Sequence, residues 1–456
     1  MLGGEILERF IEEAPVCVMV RATLENLFAP EALDELFAQQ AEQQYERELL
    51  FSSVVDLMSL VVCRLHPSVH AAYRRKRESI PVSVKSLYNK LSGIEPQVCR
   101  ALVRHTAQVA REVIQRWKHR VPLLQGHRVK VIDGNHLTGT DHRLGVLREE
   151  GAAALPGVAV AVLDPDRGLI DDIVVAEDAY TQELKLFEPI LRQVEHKDVI
   201  IADRHYCTSD ILFGINDRRG YFVIRQHMGH LSWQLKGRRR YRGRTETGKL
   251  YEQEMELTHP ETGETLSVRR ITIELDQPSR EGDEELHVLT NLPPRTADAA
   301  RVAVLYRKRW TVETAFQHIT TSLSCELTTL GYPPAALFSF SMAVACFNVF
   351  AVILAALESM HGEERVQENV SLYSLTEELS GTYRGMMIAL PPAQWECFQT
   401  FTAAQLASQL KRWARRIDLS RYQKFPRGPK TRTQRPYSPT KHVSTARLLK
   451  KPKPPS

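Results

Sequence analysis

The sequence predicts an α/β protein, in which a core of strands and helices carries a β-rich insertion and is flanked by helical N- and C-terminal regions. Three observations predict this class. Apolar residues recur with helical spacing before residue 120, β-branched runs begin at residue 128, and alternating runs separated by turns fill residues 226–290. The chain has 456 residues, 43% of them hydrophobic and 25% charged, which suits two or three folded units. The predicted units are a helical region (1–120), the mixed core (121–330, with the insertion at 226–290), a second helical region (331–417) and a basic tail (418–456).

The first helical region contains two helices joined by a tight turn. A basic cluster, Arg74 to Arg77, precedes Ser83, a typical N-cap residue, and a short helix then reaches the Ser92-Gly93 turn. A longer helix follows, with apolar residues from Val98 to Trp117 on one face. This pattern fits a DNA-binding helix-turn-helix and fits an ordinary helical hairpin equally well.

From residue 128 the order of the predicted elements is the most informative signal. Three strands, a helix, a strand, a helix and a strand follow one another, and this is the order of the ribonuclease H-like core. The predicted segments are 129–132, 158–163, 170–175, 181–194, 199–202, 209–217 and 221–224. In that fold the first and fourth strands end side by side, so we expect Asp133 to lie next to Asp203.

The insertion carries a basic stretch, residues 236–244, in which arginines surround Tyr241. Arg239 and Arg240 are our candidates for contact with a DNA backbone, because exposed cations neutralise phosphates without a special fold. A solvated loop is the alternative.

A third acid is predicted on a helix that begins near Ala297. The polar residues Tyr306, Arg309, Glu313, Gln317 and Thr320 recur at three- and four-residue steps and share one face. Alone, such a stripe is typical of a solvated helix face. Combined with Asp133 and Asp203, it predicts three converging carboxylates, which repel by about 4 kcal/mol per pair at ~4 Å and an effective dielectric of ~20. A cation must offset this repulsion, and oxygen ligands favour Mg²⁺ or Mn²⁺, a pair of which supports phosphodiester chemistry.

The motifs around these acids resemble those of a known family. Tyr-Arg-Lys-Arg-Trp-Thr-Val-Glu, residues 306–313, is similar to the signature of bacterial insertion-sequence transposases defined by Tyr-x2-Arg-x3-Glu-x6-Lys. Asp133-Gly134-Asn135 and Asp203-Arg204-His205-Tyr206 resemble the family's first and second acid motifs. The resemblance spans roughly residues 125–350, including the insertion, and implies that the three acids are catalytic and hold the metal ions.

The resemblance also implies roles for neighbouring residues. Tyr306 and Arg309 are expected to contact DNA phosphates near the cut, and Trp310 either holds a flipped base or packs in the protein. Arg204 pairs with a carboxylate or a phosphate. His136 and His205 are expected to orient the acids through hydrogen bonds. Two positions depart from the family pattern, Thr320 in place of the signature Lys and His205 in place of Gly.

The predicted function is cut-and-paste transposition of DNA, with an active homodimer and, by resemblance alone, a hairpin intermediate. The partners would be the terminal inverted repeats of the element and the target DNA. The alternatives are a nuclease or resolvase without strand transfer and a catalytically silent DNA-binding protein derived from a transposase.

Other features indicate where the protein acts. Seven scattered cysteines without a C-x-x-C pair suggest thiols of a reducing cytoplasm, and the N-terminus lacks the pattern of a secretory signal. The uncharged segment 335–357 approaches the length of a membrane span, but Ser339, Ser341 and Asn348 interrupt it, so we expect a buried helix and no membrane. The stretch from Arg421 to Lys453 holds eleven Lys and Arg and no acid, which predicts a disordered phosphate-binding tail or a solubilising one.

Overall fold

A computed structural model describes residues 4–43, 48–117, 120–149, 153–227, 229, 231–279, 282–425 and 442–450. The helices are α1 (Glu5–Glu13), α2 (Pro15–Leu27), α3 (Pro30–Gln40), α4 (Phe51–Val62), α5 (Val69–Arg75), α6 (Val84–Leu91), α7 (Pro96–Gln115), α8 (Glu183–Leu191), α9 (Ser209–Asp217), α10 (Ala299–Arg307), α11 (Trp310–Ser322), α12 (Pro333–His361), α13 (Glu363–Asn369), α14 (Leu372–Ala389), α15 (Ala403–Ala414) and α16 (Thr445–Lys450). The strands are β1 (Arg128–His136), β2 (Val158–Asp164), β3 (Leu169–Ala176), β4 (Asp198–Ala202), β5 (Tyr221–Arg225), β6 (Ser232–Thr245), β7 (Gly248–Thr258), β8 (Thr265–Leu275) and β9 (Glu285–Thr290). The predicted α/β class is confirmed.

The strands form one mixed sheet in the order β3-β2-β1-β4-β5-β9-β8-β7-β6. β1, β4 and β5 are parallel neighbours, whereas β2 and β3 run antiparallel to them on one side. Residues 226–290 supply the other end of the sheet, because β9 pairs antiparallel with β5 and the meander β8-β7-β6 follows. The β-rich insertion therefore extends the core sheet.

The register between β1 and β4 sets the positions of the two aspartates. Val131 is paired with Ile201, and the same offset carried two residues further places Asp133 beside Asp203, on strands about 4.8 Å apart. β1 continues past Asp133 to His136, because these residues pair with β2. The predicted strand end at residue 132 was therefore too early.

Helices cover both faces of the sheet. On one face α8 and α9 pack against buried residues such as Ile132, while Val131 and Ile201 belong to the core that includes α7 and α12. Side chains alternate between the faces along a strand, so Asp133 and Asp203 share the face of Val131 and Ile201. α11 contacts β1 on this side.

α12 is the central helix of the protein. It packs against α2, α4, α7, α15 and β3, and joins the N- and C-terminal helices in one core. It is the one helix in the described residues long and apolar enough to cross a membrane, and 94% of its most apolar stretch is buried inside the protein. Burial against protein on all sides accounts for the lack of charge between Ala335 and Leu357, as expected.

The two helices of the candidate helix-turn-helix are α6 and α7. Ser83 caps α6 as expected, since its hydroxyl accepts a hydrogen bond from the Ser86 N–H at 3.1 Å. α7, however, lies against both β3 and α12. A recognition helix needs an exposed face for the major groove, and α7 keeps Arg104, Gln108 and Glu112 exposed. The helix-turn-helix and the helical hairpin therefore both remain predictions.

Part of the predicted disordered tail is folded. In α16 and the residues before it, the Leu155 N–H donates to the Val443 carbonyl at 2.9 Å, and the Thr445 N–H donates to the Leu155 carbonyl at 3.0 Å. Leu448 packs with Leu147 and Ala154. These few apolar contacts stabilise α16 against the rest of the protein. The composition of the tail as a whole gave no indication of them. The remaining tail residues, 426–441 and 451–456, lie outside the described part of the chain.

Candidate active site

Asp133 and Asp203 are each held by a local backbone hydrogen bond. The Gly134 N–H donates to Asp133 Oδ1 at 3.0 Å, and the His205 N–H donates to Asp203 Oδ1 at 2.8 Å. Asp203 thereby caps the short 3-10 turn Arg204–Tyr206. One oxygen of each carboxylate is fixed in this way, which orients the side chain at the edge of the sheet.

The polar stripe of the third acid lies on two helices instead of one. Asp298 caps α10 by accepting a hydrogen bond from the Arg301 N–H at 2.7 Å. At the junction with α11, Lys308 and Arg309 donate to carbonyls three residues back, and the Thr311 hydroxyl donates to the Lys308 carbonyl at 2.6 Å. Such i to i+3 bonds and hydroxyl back-bonding tighten and bend a helix. Glu313 therefore stands on α11, one element beyond Tyr306.

Arg309 is ion-paired with Glu313, with 2.6 Å between a guanidinium nitrogen and a carboxylate oxygen. The Arg309 side chain is only 16% exposed, and Glu313 is 50% exposed. Tyr306 lies behind them in the core, where burial raises the pKa of its phenol to about 12. Buried Tyr306 supports Arg309 and presents little surface to DNA.

Asp203 and Glu313 act electrostatically on Asp133. Burial and the neighbouring Asp203 carboxylate raise the pKa of Asp133 to about 6, and Glu313 acts in the same direction. The Arg309 guanidinium and the Gly134 N–H oppose this rise. Three residues far apart in sequence, Asp203, Glu313 and Arg309, thus act on Asp133, and these four residues are called the acid cluster below.

The donor set suits a hard divalent cation chemically, because carboxylate oxygens are the ligands that Mg²⁺ and Mn²⁺ prefer. The raised pKa of Asp133 reflects its burial first and its repulsion by Asp203 and Glu313 second, and such a cation would relieve that repulsion. Yet no three acidic, histidine or cysteine side chains within the described ranges are close enough together to hold a metal ion. In this arrangement Arg309 supplies the positive charge at Glu313.

A fourth acid, Glu183 at the start of α8, was missed by the sequence analysis. Its carboxylate lies so close to Gly134 that a Cβ on that glycine would be 2.2–2.4 Å from it. The Tyr206 hydroxyl donates to Glu183 Oε2 at 3.3 Å. Burial, Glu183, Asp133 and Asp203 together raise the pKa of Tyr206 above its usual range, so Glu183 and the two aspartates act on the same phenol. The glycine directly after Asp133 was the one feature of the sequence that indicated a close approach at this point.

The other predicted residues lie around this cluster or away from it. Trp310 is 59% exposed and stacks near Arg309, with 5.6 Å from its ring to the guanidinium carbon, so a pure packing role is not favoured. Arg204 is exposed and acts electrostatically on Asp283 in the β8–β9 connection. Thr320 donates its hydroxyl to the Phe316 carbonyl at 2.8 Å, within its own helix.

The two arginines of the insertion lie on β6, at the far edge of the sheet from β1. Arg239 is ion-paired with Glu285 at 2.8 Å and lies over the Tyr251 ring at 4.0 Å. Arg240 is exposed and its backbone pairs with Glu252 of β7. The basic stretch is thus an edge strand and not a loop, and it lies outside the acid cluster.

Residues 124–346 match the family model of the transposase DDE domain. This stretch, called the DDE domain below, contains all three predicted acids and supports a DNA transposase function for the chain. No curated protein matches the sequence. Among solved structures, the chain is similar to piggyBac transposase in a cryo-EM structure of its synaptic complex with hairpin DNA. That similarity covers 87% of this chain and 86% of the other, with 9% identity and a TM-score of 0.40, too distant to assign roles to residues.

Proposed function

We propose that this chain is a metal-dependent transposase of the bacterial insertion-sequence group with the Tyr-x2-Arg-x3-Glu-x6-Lys signature. Asp133, Asp203 and Glu313 would be its catalytic and metal-binding acids. The proposal is carried by the register of β1 and β4, in which Val131 pairs with Ile201, two residues before each aspartate. Burial raises the pKa of Asp133, and the charges of Asp203 and Glu313 add to that rise. The family match over residues 124–346 supports the same assignment.

The five strands β3-β2-β1-β4-β5 have the order and directions expected of a ribonuclease H-like core, with the insertion attached beyond β5. We assign catalysis to residues 121–330, DNA binding to the helical region 1–120 and the basic tail 418–456, and dimer contacts to the helices of 331–417. The DNA partners would be the element's inverted repeats and its target.

The residues of the site have distinct tasks in this proposal. Asp133, Asp203 and Glu313 would hold two Mg²⁺ or Mn²⁺ ions. When bound, such ions activate an attacking hydroxyl and stabilise the leaving oxygen of an in-line displacement. Arg309, supported by Tyr306, would move from Glu313 to a DNA phosphate, since a guanidinium matches carboxylate and phosphate geometry equally well.

Strand transfer and a hairpin intermediate follow from the resemblance to the signature group. The departure at Thr320 bears on end binding, because a threonine hydroxyl engaged with Phe316 within α11 supplies no charge for a phosphate. We expect a basic residue elsewhere to take that role, with Arg204 and Trp310 near the DNA. Arg239 and Arg240 would contact DNA beyond the cleavage site.

The test is DNA cleavage by Asp133→Asn, Asp203→Asn and Glu313→Gln with the element's own end sequence. Each variant should lose cleavage by more than about 1000-fold and retain DNA binding in a gel-shift assay. Glu188→Gln, an exposed acid on α8 that pairs with Arg192, is the matched control and should cleave normally. Full cleavage by a triad variant would remove that residue from the site, and cleavage without strand joining by the wild-type chain would make it a nuclease.

A further inference from the structure

We infer that Glu183 is a fourth acidic residue of the proposed catalytic site. Through its hydrogen bond with Tyr206 it helps to hold Asp133 and Asp203 at a fixed spacing, and its charge adds to the site's affinity for divalent cations. The inference rests on the proposed function. It concerns a residue outside the three-acid signature, on a helix that covers the opposite face of the sheet from α11.

The first observation is the contact with β1. The Glu183 carboxylate lies directly against the backbone of Gly134, where any β-carbon would be less than 2.5 Å from its atoms. Glycine is thus required at the residue following Asp133 so that this acid can reach the strand. Since Asp133 and Gly134 point to opposite faces, Glu183 approaches the first acid across the thickness of the strand.

The second observation is the contact with the end of β4. Tyr206 closes the turn that Asp203 caps, is 1% exposed, and donates its hydroxyl to Glu183 Oε2 at 3.3 Å. Glu183 therefore touches β1 next to Asp133 and the turn that holds Asp203. The Glu183 side chain thus connects the ends of β1 and β4. The separation of these two ends sets the distance between Asp133 and Asp203.

The third observation is charge. Glu183 lies close enough to act on the phenol of Tyr206, and the carboxylates of Asp133 and Asp203 act on it in the same direction. Within the described part of the chain no Lys or Arg forms an ion pair with Glu183, and His136 Nδ1 is 3.9 Å from its Oε1. A carboxylate with a side chain only 21% exposed needs a positive partner, and divalent cations at the adjacent acids would provide it.

Four variants of the full chain separate the two parts of the inference. Glu183→Gln removes the charge but fits beside Gly134 and still accepts the Tyr206 hydroxyl. Tyr206→Phe removes the hydrogen bond alone, and Glu183→Asp keeps the charge on a shorter side chain. Glu188→Gln, on the exposed side of α8 where Glu188 pairs with Arg192, is the matched control.

The measurements are Mn²⁺ affinity by calorimetry without DNA and the Mg²⁺ concentration for half-maximal cleavage. Glu183→Gln should weaken Mn²⁺ binding about tenfold and raise the Mg²⁺ requirement in proportion. Glu183→Asp should recover part of the affinity, Tyr206→Phe should lose less than Glu183→Gln, and Glu188→Gln should match the wild type. Thermal melting confirms that the isosteric Gln variant is folded.

Wild-type Mn²⁺ affinity in a folded Glu183→Gln variant would overturn the inference, provided that Asp133→Asn loses binding in the same assay. If Asp133→Asn also binds Mn²⁺ like the wild type, the proposed metal site itself fails. The two failures are therefore distinguishable.

Discussion

The guanidinium of Arg309 and the carboxylate of Glu313 lie 2.6 Å apart, one helical turn from each other on α11 and the turn before it. Burial and Asp203 raise the pKa of Asp133, and Arg309 opposes that rise. The chain thus provides its own cation beside Glu313, and this cation also acts on Asp133. A divalent ion that uses Glu313 must displace this guanidinium or share the carboxylate with it.

Replacing Arg309 with Gln should therefore strengthen metal binding in the absence of DNA. We expect Mn²⁺ affinity to rise about three- to tenfold, a modest gain because Glu313 is half exposed and solvent screens the pair. Cleavage of DNA should fall, since the proposed phosphate contact is lost. Calorimetric titration and a cleavage assay give the two values. Arg307→Gln is the control, because Arg307 pairs with Glu246 instead. Lower Mn²⁺ affinity in the Arg309 variant would contradict the idea that Arg309 and the metal ion compete for Glu313.

Asn348 links the central helix to the sheet. It is fully buried on α12, and its side chain donates to the Ile170 carbonyl at 3.0 Å and accepts from the Ile170 N–H at 2.9 Å. Asn348→Ala should lower the free energy of unfolding by about 2–4 kcal/mol, because both backbone groups of Ile170 lose their buried partner. Urea denaturation measures this loss.

Ser339 provides the control on the same helix. It is also fully buried, and its hydroxyl has no hydrogen-bond partner among the residues described. Ser339→Ala should leave the free energy of unfolding within about 0.5 kcal/mol of the wild type or raise it. Equal losses in both variants would mean that the hydrogen bonds of Asn348 add nothing beyond packing.

Local patterns predicted the strands of the core well, because β-branched runs bounded by turns report burial directly. The same patterns did not predict that β9 pairs with β5, since a long-range pairing depends on register and not on local composition. They also predicted one helix where α10 and α11 are separate, because a hydroxyl bond such as that of Thr311 leaves no mark in apolar periodicity.

Glu183 was missed for a different reason. A lone acid in the first turn of a helix is ordinary, because it stabilises the helix dipole. Its proximity to Gly134 and Tyr206 exists only once α8 packs on the sheet. The docked segment before and within α16 is similar, since its partners lie about 300 residues earlier in the chain.

Loss of the α16 contacts should loosen the connection between β1 and β2. Leu448→Asp or deletion of residues 442–456 removes the apolar contact with Leu147 and Ala154. The Leu155 amide, which donates to Val443, should then exchange its hydrogen about 10- to 100-fold faster. Hydrogen exchange read by mass spectrometry tests this. Arg447→Ala removes an exposed ion pair with Asp178 and a contact with the Tyr180 ring, and it should change little because the apolar contact of Leu448 is kept. Normal protection of Leu155 in the Leu448 variant would show that α16 does not order this connection.

His287 on β9 should make the stability of the DDE domain sensitive to mild acid. Its ring nitrogen Nδ1 is 3.0 Å from the Thr272 hydroxyl, and burial, with Arg270 next to it, lowers the pKa of the imidazole to about 4. The unfolded chain takes up a proton near pH 6.5, while the folded chain does not until about pH 4. Stability is therefore lost as the pH falls between these two values and is fully present above them.

Between pH 7 and pH 4.5 the wild type should lose about 1–2 kcal/mol more unfolding free energy than His287→Gln, after allowance for solvent screening. Urea denaturation at the two pH values measures the difference. His196→Gln, an exposed histidine between α8 and β4, controls for a general effect of losing a histidine. Equal changes of unfolding free energy with pH in the wild type and the His287 variant would mean that the imidazole is protonated alike in the folded and unfolded chains. That result would contradict the expected effect of its burial.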